Sequence, residues 1–364
     1  MRSVKAAVKV GVERTEIRDF ALPSLSGDDG ILRVDAVGVG GSDPELYRMT
    51  RHTPAIMGHE NVGTIAEIGD RAAERWRLQV GDRIALHEYL PCHACHYCLT
   101  GNHRLCARTD IFSAGKPQRY GQMDNLDPPH LWGGYAQYLY LPPQILFHRI
   151  PSDMAASLAT LAVPLGNGWQ WAVLEGGAGP GKTVLVFGPG QQGLGCVIAS
   201  ASSGADKVIL VGKGKRDRAR LDLALRLGAD HVLDADDGDV GDAVRSILHG
   251  QGVDVVVDTT GDVDGSVAAL SLELAAPFAR LNLNGLDQSV ALRPIKAKSL
   301  IVRAPRGRTY KAVELALKTM AAKRYPIEEM CTHYYALDEV HRAILASAGR
   351  EVEGAIHVVV EPWR

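Results

Sequence analysis

Up to residue 150 the apolar side chains come in short, partly alternating runs, at 4–10, 30–39, 62–68, 84–87 and 136–141. Turns divide them, among them GVGGSD at 38–43 and VGDR at 80–83, and Pro142 with Pro143 stops the last run. Many short stretches of period two, split by turns, predict a partly closed β-barrel. Residues 107–131 are polar and rich in Gly, Pro and Asp, which predicts a loop able to cover a pocket. From Ser152 the period lengthens to that of helices, and then two kinds of run alternate. Continuous apolar strands are expected at 184–187, 207–211, 231–233, 253–258, 279–283 and 300–303, with helices at 194–201, 216–227, 240–248 and 266–274. That alternation predicts an α/β fold with a doubly wound parallel sheet. A helix at 310–323, another at 337–348 and a strand at 356–360 complete the chain.

The second half is organised around residues 183–200, TVLVFGPGQQGLGCVIAS. A buried strand runs into Gly188, Gly190 and Gly193, which spell G-x-G-x-x-G, and a small apolar helix follows. Strand, glycine turn and helix form the context that a dinucleotide fingerprint requires. Gly188 allows the tight turn, Gly190 lets the backbone approach a pyrophosphate, and Gly193 lets helix and strand pack closely. The free N–H groups of the helix start, at Gln191 and Gln192, favour phosphate. GGAGPGKT at 176–183 fits the P-loop pattern letter for letter, but it leads into a strand where a P-loop opens a helix. It reads as a surface turn with Lys182 in solvent. Trp169 and Trp171, just upstream, suit either core packing or a substrate pocket.

The acidic residue that holds the ribose hydroxyls in an NAD site would end the second strand of this region. Here the strand runs into Gly212, and Lys213, Gly214, Lys215 and Arg216 follow. Cations without a carboxylate attract a 2′-phosphate, so NADP(H) is favoured over NAD(H), with Thr260 after the 253–258 strand also on the cofactor side. Asp217 sits near the cap of the next helix.

Composition narrows the remaining choices. At 364 residues the chain is too long for one ordinary core. It is 46% hydrophobic and 23% charged with a net charge of −2, which gives no electrostatic case for nucleic acid or an anionic membrane. No apolar run approaches the ~20 residues of a bilayer span, and MRSVKAAVKV lacks a signal-peptide core, so the cytoplasm is expected. Of six cysteines, Cys92, Cys95, Cys98 and Cys106 cluster as C-x2-C-x2-C-x7-C, PCHACHYCLTGNHRLC. Four thiolates on one short loop can close a tetrahedral zinc site with no open position, a structural site. An iron–sulfur site or free thiols are the alternatives. With that shell filled, His93, His96 and His103 are expected to be exposed.

The order of these features resembles the medium-chain dehydrogenase/reductase superfamily, on its zinc-containing alcohol and polyol dehydrogenase side. The resemblance covers nearly the whole chain. It is carried by GSD at 41–43, GHE at 58–60, VGD at 80–82, the four-cysteine lobe, GGYA at 133–136, PLGN at 164–167 and the fingerprint. It implies a GroES-like catalytic domain from 1–152 and 325–364, a Rossmann domain from 153–324, and a cleft where NAD(P) meets a small-molecule substrate. Homodimers or homotetramers are common in the family.

The departures from that pattern bear on the chemistry. The family's catalytic zinc usually hangs on a Cys before GSD, the His of GHE, and a Glu, Asp or Cys before PLGN. Here those places hold Gly40, His59 and Val163, so two of three protein ligands are missing and the catalytic zinc is expected to be absent. A shifted ligand set using Asp43 or Glu45 would be the zinc-dependent alternative. Ser42 matches the family's relay hydroxyl, and Glu45 stands where relatives often carry a relay His. The expectation is an oxidoreductase moving hydride to or from a carbonyl, an alcohol or a conjugated alkene. Ser42 and His59 would then serve as donor and proton shuttle, with Glu60 orienting the ring and Glu45 relaying the proton. A non-catalytic, cofactor-binding relative is the alternative of a different class.

Overall fold

The computed structural model describes residues 3–50, 54–123, 128–261, 264–284 and 289–364. The chain divides into two compact units, Met1–Val163 with Cys331–Arg364, and Pro164–Met330.

In the first unit, β1 (Ser3–Gly11) pairs antiparallel with β2 (Arg14–Ala21). β3 (Gly30–Gly38) is the centre of a larger sheet. The short β4 (Ala55–Ile56) joins β1, while β5 (Glu60–Ile68) pairs with β3. β6 (Arg83–Leu86) and β8 (Phe147–Arg149) extend the sheet from β5, and β7 (Tyr138–Leu141) pairs with β3. β3 and β7 bury Ile31, Leu32, Val34 and Leu139 completely, and each contributes about 1.5–3 kcal/mol by leaving water. The helix Ala156–Thr160 packs on β3 and β5.

The second unit is a six-stranded, all-parallel sheet. Its strands are β9 (Thr183–Phe187), β10 (Lys207–Gly212), β11 (His231–Asp234), β12 (Val253–Asp258), β13 (Ala275–Asn282) and β14 (Ile301–Arg303). The order β11-β10-β9-β12-β13-β14 is that of a doubly wound dinucleotide fold, with its switch point between β9 and β12. Leu185, Ile209, Val256 and Leu281 are fully buried, as continuous apolar runs in a two-sided sheet require. After this unit the chain returns to the first through β15 (Cys331–Ala336) and β16 (His357–Glu361). β16 pairs antiparallel with β3.

Elements differ from expectation where tertiary packing overrides local pattern. The 38–43 turn gives way at Asp43 to a short helix, α1 (Asp43–Arg48), with Ser42 at its N-cap and Pro44 in its first turn. The spacing Ser42–Glu45 was a start signal. β2 went unread because most of its residues are exposed or half-buried, so it carries no clear apolar period. β13 starts directly after the helix Ser266–Leu274, and its register jumps from Ala275 opposite Val253 to Arg280 opposite Val255. The expected helix at 216–227 begins as a 3-10 turn, Lys215–Asp217, before the α-helix Arg218–Arg226. Of the 107–131 loop, residues 124–127 lie outside the described residues.

Candidate active site

In the second unit, β9 ends at the glycine turn and the helix Gln191–Ser202 starts from Gly190. Gly188 has φ of 94°, and a Cβ on it would stand 2.8 Å from Thr259 Oγ1. A Cβ on Gly193 would lie 1.8 Å from the Gly188 carbonyl oxygen, so only glycine fits. A Cβ on Gly190 would meet nothing within 4 Å: this glycine faces open space. The Thr259 hydroxyl lies 2.8 Å from the Phe187 carbonyl and 3.0 Å from that of Gly188, tying β9 to the residues after β12.

A cavity of about 630 Å³ opens here, lined by Gly188, Gly190, Gly212, Lys213, Arg216 and Thr260. Gln191, Gln192 and Gly193 form the helix start, Gln192 accepting from Asn167 Nδ2 at 2.9 Å, and Lys215 opens the 3-10 turn beyond the lining. Asp217, the N-cap of the helix Arg218–Arg226 as expected, and Arg220 also line it. Asp217 is buried; its carboxylate accepts from the Lys213 N–H at 3.0 Å and from Arg220 at 3.2 Å. The acidic group thus braces the loop from the helix side. The Asp217–Arg220 spacing, one helical turn, was the available signal.

The P-loop-like segment is a turn into β9. Lys182 is exposed, as expected, and is also ion-paired with Asp254 at 3.0 Å; Asp254 accepts from the Thr183 N–H as well. Trp169 and Trp171 are core residues, their indole N–H groups bonded to Thr319 Oγ1 and the Gly307 carbonyl.

In the first unit, the end of β3, the start of α1 and the start of β5 bring a polar cluster together. Asp43 is fully buried. One of its oxygens accepts from the Tyr135 hydroxyl at 2.6 Å and the Gly40 N–H at 3.2 Å. The other stands 3.1 Å from His59 Nδ1, an ion-pair contact. Burial opposes charge on this imidazole, but the carboxylates of Asp43, Glu60 and Glu88 outweigh it and hold its pKa up at about 9. Burial and the adjoining Asp43 carboxylate keep the Tyr135 phenol protonated.

The carboxylate at His59 Nδ1 is therefore that of Asp43, whereas Glu60 was expected to orient the ring. Glu60 faces the other way, with Oε2 4.0 Å from His357 Nδ1. His357 Nε2 lies 2.7 Å from Thr160 Oγ1, and burial pushes the His357 pKa down to about 3. Ser42 and Glu45 are exposed at the start of α1. Asp43 was considered only as a ligand of a shifted metal set, and Tyr135 and His357 were missed as functional candidates, because the three meet only in three dimensions, although GSD and GGYA contained two of them.

A metal at the family's catalytic position does not fit the residues present. A Cβ on Gly40 would lie 2.3 Å from His59 Cε1 and 2.5 Å from Nε2, so the ring fills the space a cysteine there would use. Val163 is buried and apolar. Among the described residues, the one group of three or more metal-binding side chains with converging ligand atoms is Cys92, Cys95, Cys98 and Cys106, whose sulfurs lie within 4.8 Å of one another. The N–H groups of Ala94 and Cys95 draw the Cys92 thiol down to about 6, while burial raises that of Cys98. Convergent sulfurs, one already favouring thiolate, fit a tetrahedral ion. His93 and His96 beside them are exposed, but His103 is half-buried, which corrects that expectation.

One unit with an all-parallel sheet and a phosphate-ready glycine turn, and another of β strands carrying a four-cysteine lobe, define an NAD(P)-dependent oxidoreductase. Residues 26–152 match the family described as "Alcohol dehydrogenase GroES-like domain", and residues 193–317 match "Zinc-binding dehydrogenase". The chain is 34% identical to "Probable alcohol dehydrogenase adh" of Mycobacterium tuberculosis, over 99% of this chain and 98% of that protein. It is 27% identical to the erythritol/L-threitol dehydrogenase of Mycolicibacterium smegmatis, over 96% and 95%. Among solved structures, an alcohol dehydrogenase from Thermotoga maritima superposes with a TM-score of 0.85 at 22% identity, covering 99% of this chain and 100% of that one. A Sinorhizobium meliloti 1021 protein solved with NADP superposes with a TM-score of 0.84 at 24% identity, covering 100% of both. The chain belongs to the zinc-containing alcohol and polyol dehydrogenase branch of the medium-chain dehydrogenase/reductase superfamily. No helix among the described residues is long and apolar enough to cross a membrane.

Proposed function

We propose that the chain is an NADP(H)-dependent oxidoreductase acting between a small alcohol and its carbonyl, or on a conjugated alkene, with structural zinc but no catalytic zinc. The observation that carries the reading is the His59 ring seated against Gly40 where a metal ligand would stand. Lys213 and Arg216 in the cavity, with no carboxylate on Gly212, support the 2′-phosphate preference, and the NADP-bound relative agrees with it. Gly188 to Gly193 and Thr260 would hold the rest of the dinucleotide. Cys92, Cys95, Cys98 and Cys106 would hold the structural zinc, and thiolate ligation suits the reducing cytoplasm.

Bound NADPH supplies a hydride; the chain's residues supply the proton and the electrostatics. His59, charged at neutral pH, donates a proton to the oxygen of a carbonyl, or to the α-carbon once hydride reaches the β-carbon of an enone. Ser42 donates a hydrogen bond to the developing oxyanion. Glu45, exposed one turn into α1, passes a proton between Ser42 and solvent. Glu60 adds negative potential that keeps His59 charged. The enzyme would work as a homodimer or homotetramer; the open edge at β14, with Phe278, Leu292 and Ile301 exposed, supports self-association.

The test pairs metal analysis with turnover. One zinc per chain, tighter binding of NADPH than NADH, and chelator-resistant reduction of ketone, aldehyde or enone panels are expected. Two zincs per chain with activity abolished by a chelator would refute the metal-free centre.

A further inference from the structure

The end of β3 reads Gly38-Val39-Gly40, and the start of β5 reads His59-Glu60. These two pairs interlock. A Cβ on Gly38 would lie 2.3 Å from Glu60 Oε2 and 2.6 Å from His357 Cε1, and one on Gly40 would lie 2.3 Å from His59 Cε1. Neither glycine has positive φ among the described residues, so backbone freedom is not why glycine stands there. Their bare Cα atoms instead make room for two buried, ionisable side chains.

Behind His59 the support continues inward. Asp43 faces the ring at 3.1 Å, and the Tyr135 hydroxyl bonds the far oxygen of Asp43 at 2.6 Å. Tyr135 is itself locked: Gly58, with φ of 89°, could not carry a Cβ, which would stand 2.9 Å from the Tyr135 ring. The Tyr135 backbone N–H also donates to the Met57 carbonyl at 2.9 Å. Two rigid constraints therefore fix one imidazole, an open floor at Gly40 and a braced carboxylate at Asp43.

We infer that Gly40 and Tyr135 are positioning residues for His59: Gly40 admits the imidazole to the place a side chain would fill, and Tyr135 holds, through Asp43, the carboxylate that faces it. The inference rests on the reading of His59 as the proton donor. Gly40 is thereby a built element of a metal-independent site rather than the scar of a lost ligand. A displacement of about 1 Å at such a donor lowers turnover by about a hundredfold.

The test uses the full-length protein carrying Gly40→Ala, Tyr135→Phe or His59→Gln, loaded with NADPH. Each is examined by NMR of 15N-labelled histidine, steady-state kinetics and zinc analysis. Gly40→Ala is expected to move the His59 ring resonances and lower kcat about a hundredfold, with NADPH affinity within twofold of wild type and still one zinc per chain. Tyr135→Phe, which keeps the ring and deletes only the hydroxyl, is expected to move the same resonances and lower kcat about tenfold. Unmoved His59 resonances in Gly40→Ala overturn the inference whatever the activity; should that variant not fold, unmoved resonances in Tyr135→Phe do so. Moved resonances with unchanged kcat also overturn it, by showing that the seat does not serve turnover. Full activity in His59→Gln instead removes the donor reading on which it rests. A second zinc in the wild-type protein overturns both.

Discussion

Two sites in this molecule are built on spaced glycines, and they use them in opposite ways. At the end of β9, Gly190 faces space that the chain leaves open, and Gly193 has none because its own turn closes on it. At the end of β3, Gly38 and Gly40 face space that the chain fills with Glu60, His357 and His59. The first arrangement keeps room for a ligand from outside; the second is completed by residues from elsewhere in the fold. A glycine's meaning thus depends on what occupies the volume its missing side chain releases.

The strongest test of this contrast is Gly193→Ala. The new methyl would collide with the Gly188 carbonyl, so the turn must shift, lowering stability by upwards of about 3 kcal/mol and removing measurable NADPH binding. Urea denaturation and cofactor fluorescence titration would show both losses.

Next comes the pH dependence of the His59 seat. Its pKa of about 9 in the folded protein exceeds the ordinary 6.5, so the folded state keeps a proton that the unfolded state releases. The resulting stabilisation, about 3 kcal/mol, is fully present below pH 6.5 and is lost as pH rises through 9. Asp43→Asn should flatten this alkaline limb in denaturation curves taken between pH 6 and 10. His357 behaves oppositely. Held near 3 by burial, it stays neutral while the unfolded chain binds a proton, so its effect is a loss of stability as pH falls from 6.5 toward 3.

Gly190→Ala should separate ligand space from fold space. Its methyl enters a void, so the melting temperature of the apoprotein should stay within a degree or two, while NADPH affinity falls about tenfold, about 1.4 kcal/mol. The double variant Lys213→Ala, Arg216→Ala should reduce affinity for NADPH by a similar factor and spare NADH. The smallest effect is expected from Lys182→Ala in the false P-loop. Loss of a half-exposed pair with Asp254 should lower stability by less than about 1 kcal/mol and leave cofactor binding unchanged.

Local pattern made some of this legible and hid the rest. The six strands of the second unit announced themselves as continuous apolar runs, and the fingerprint glycines as a fixed spacing, because both are properties of consecutive residues. The four cysteines were legible for the same reason. Gly40 was visible only as a ligand that was not there. What fills its space comes from His59, and the carboxylate behind that ring is fixed by Tyr135, far along the chain. Asp217 was placed at its cap, but its burial was hidden because it depends on how the Lys215–Asp217 turn folds back over Gly212, whose Cβ would stand 3.2 Å from the Asp217 Cβ.

β16 leaves the ribosome long after β3, yet it pairs with that strand and brings His357 against Glu60. Residues 164–330 must be synthesised in between, roughly ten seconds or more of translation. During that interval β3 offers a raw hydrogen-bonding margin and Glu60 lacks its neighbour. The nascent first unit is therefore incomplete until residues 331–364 emerge, whereas the second, contiguous in sequence, waits for no distant segment.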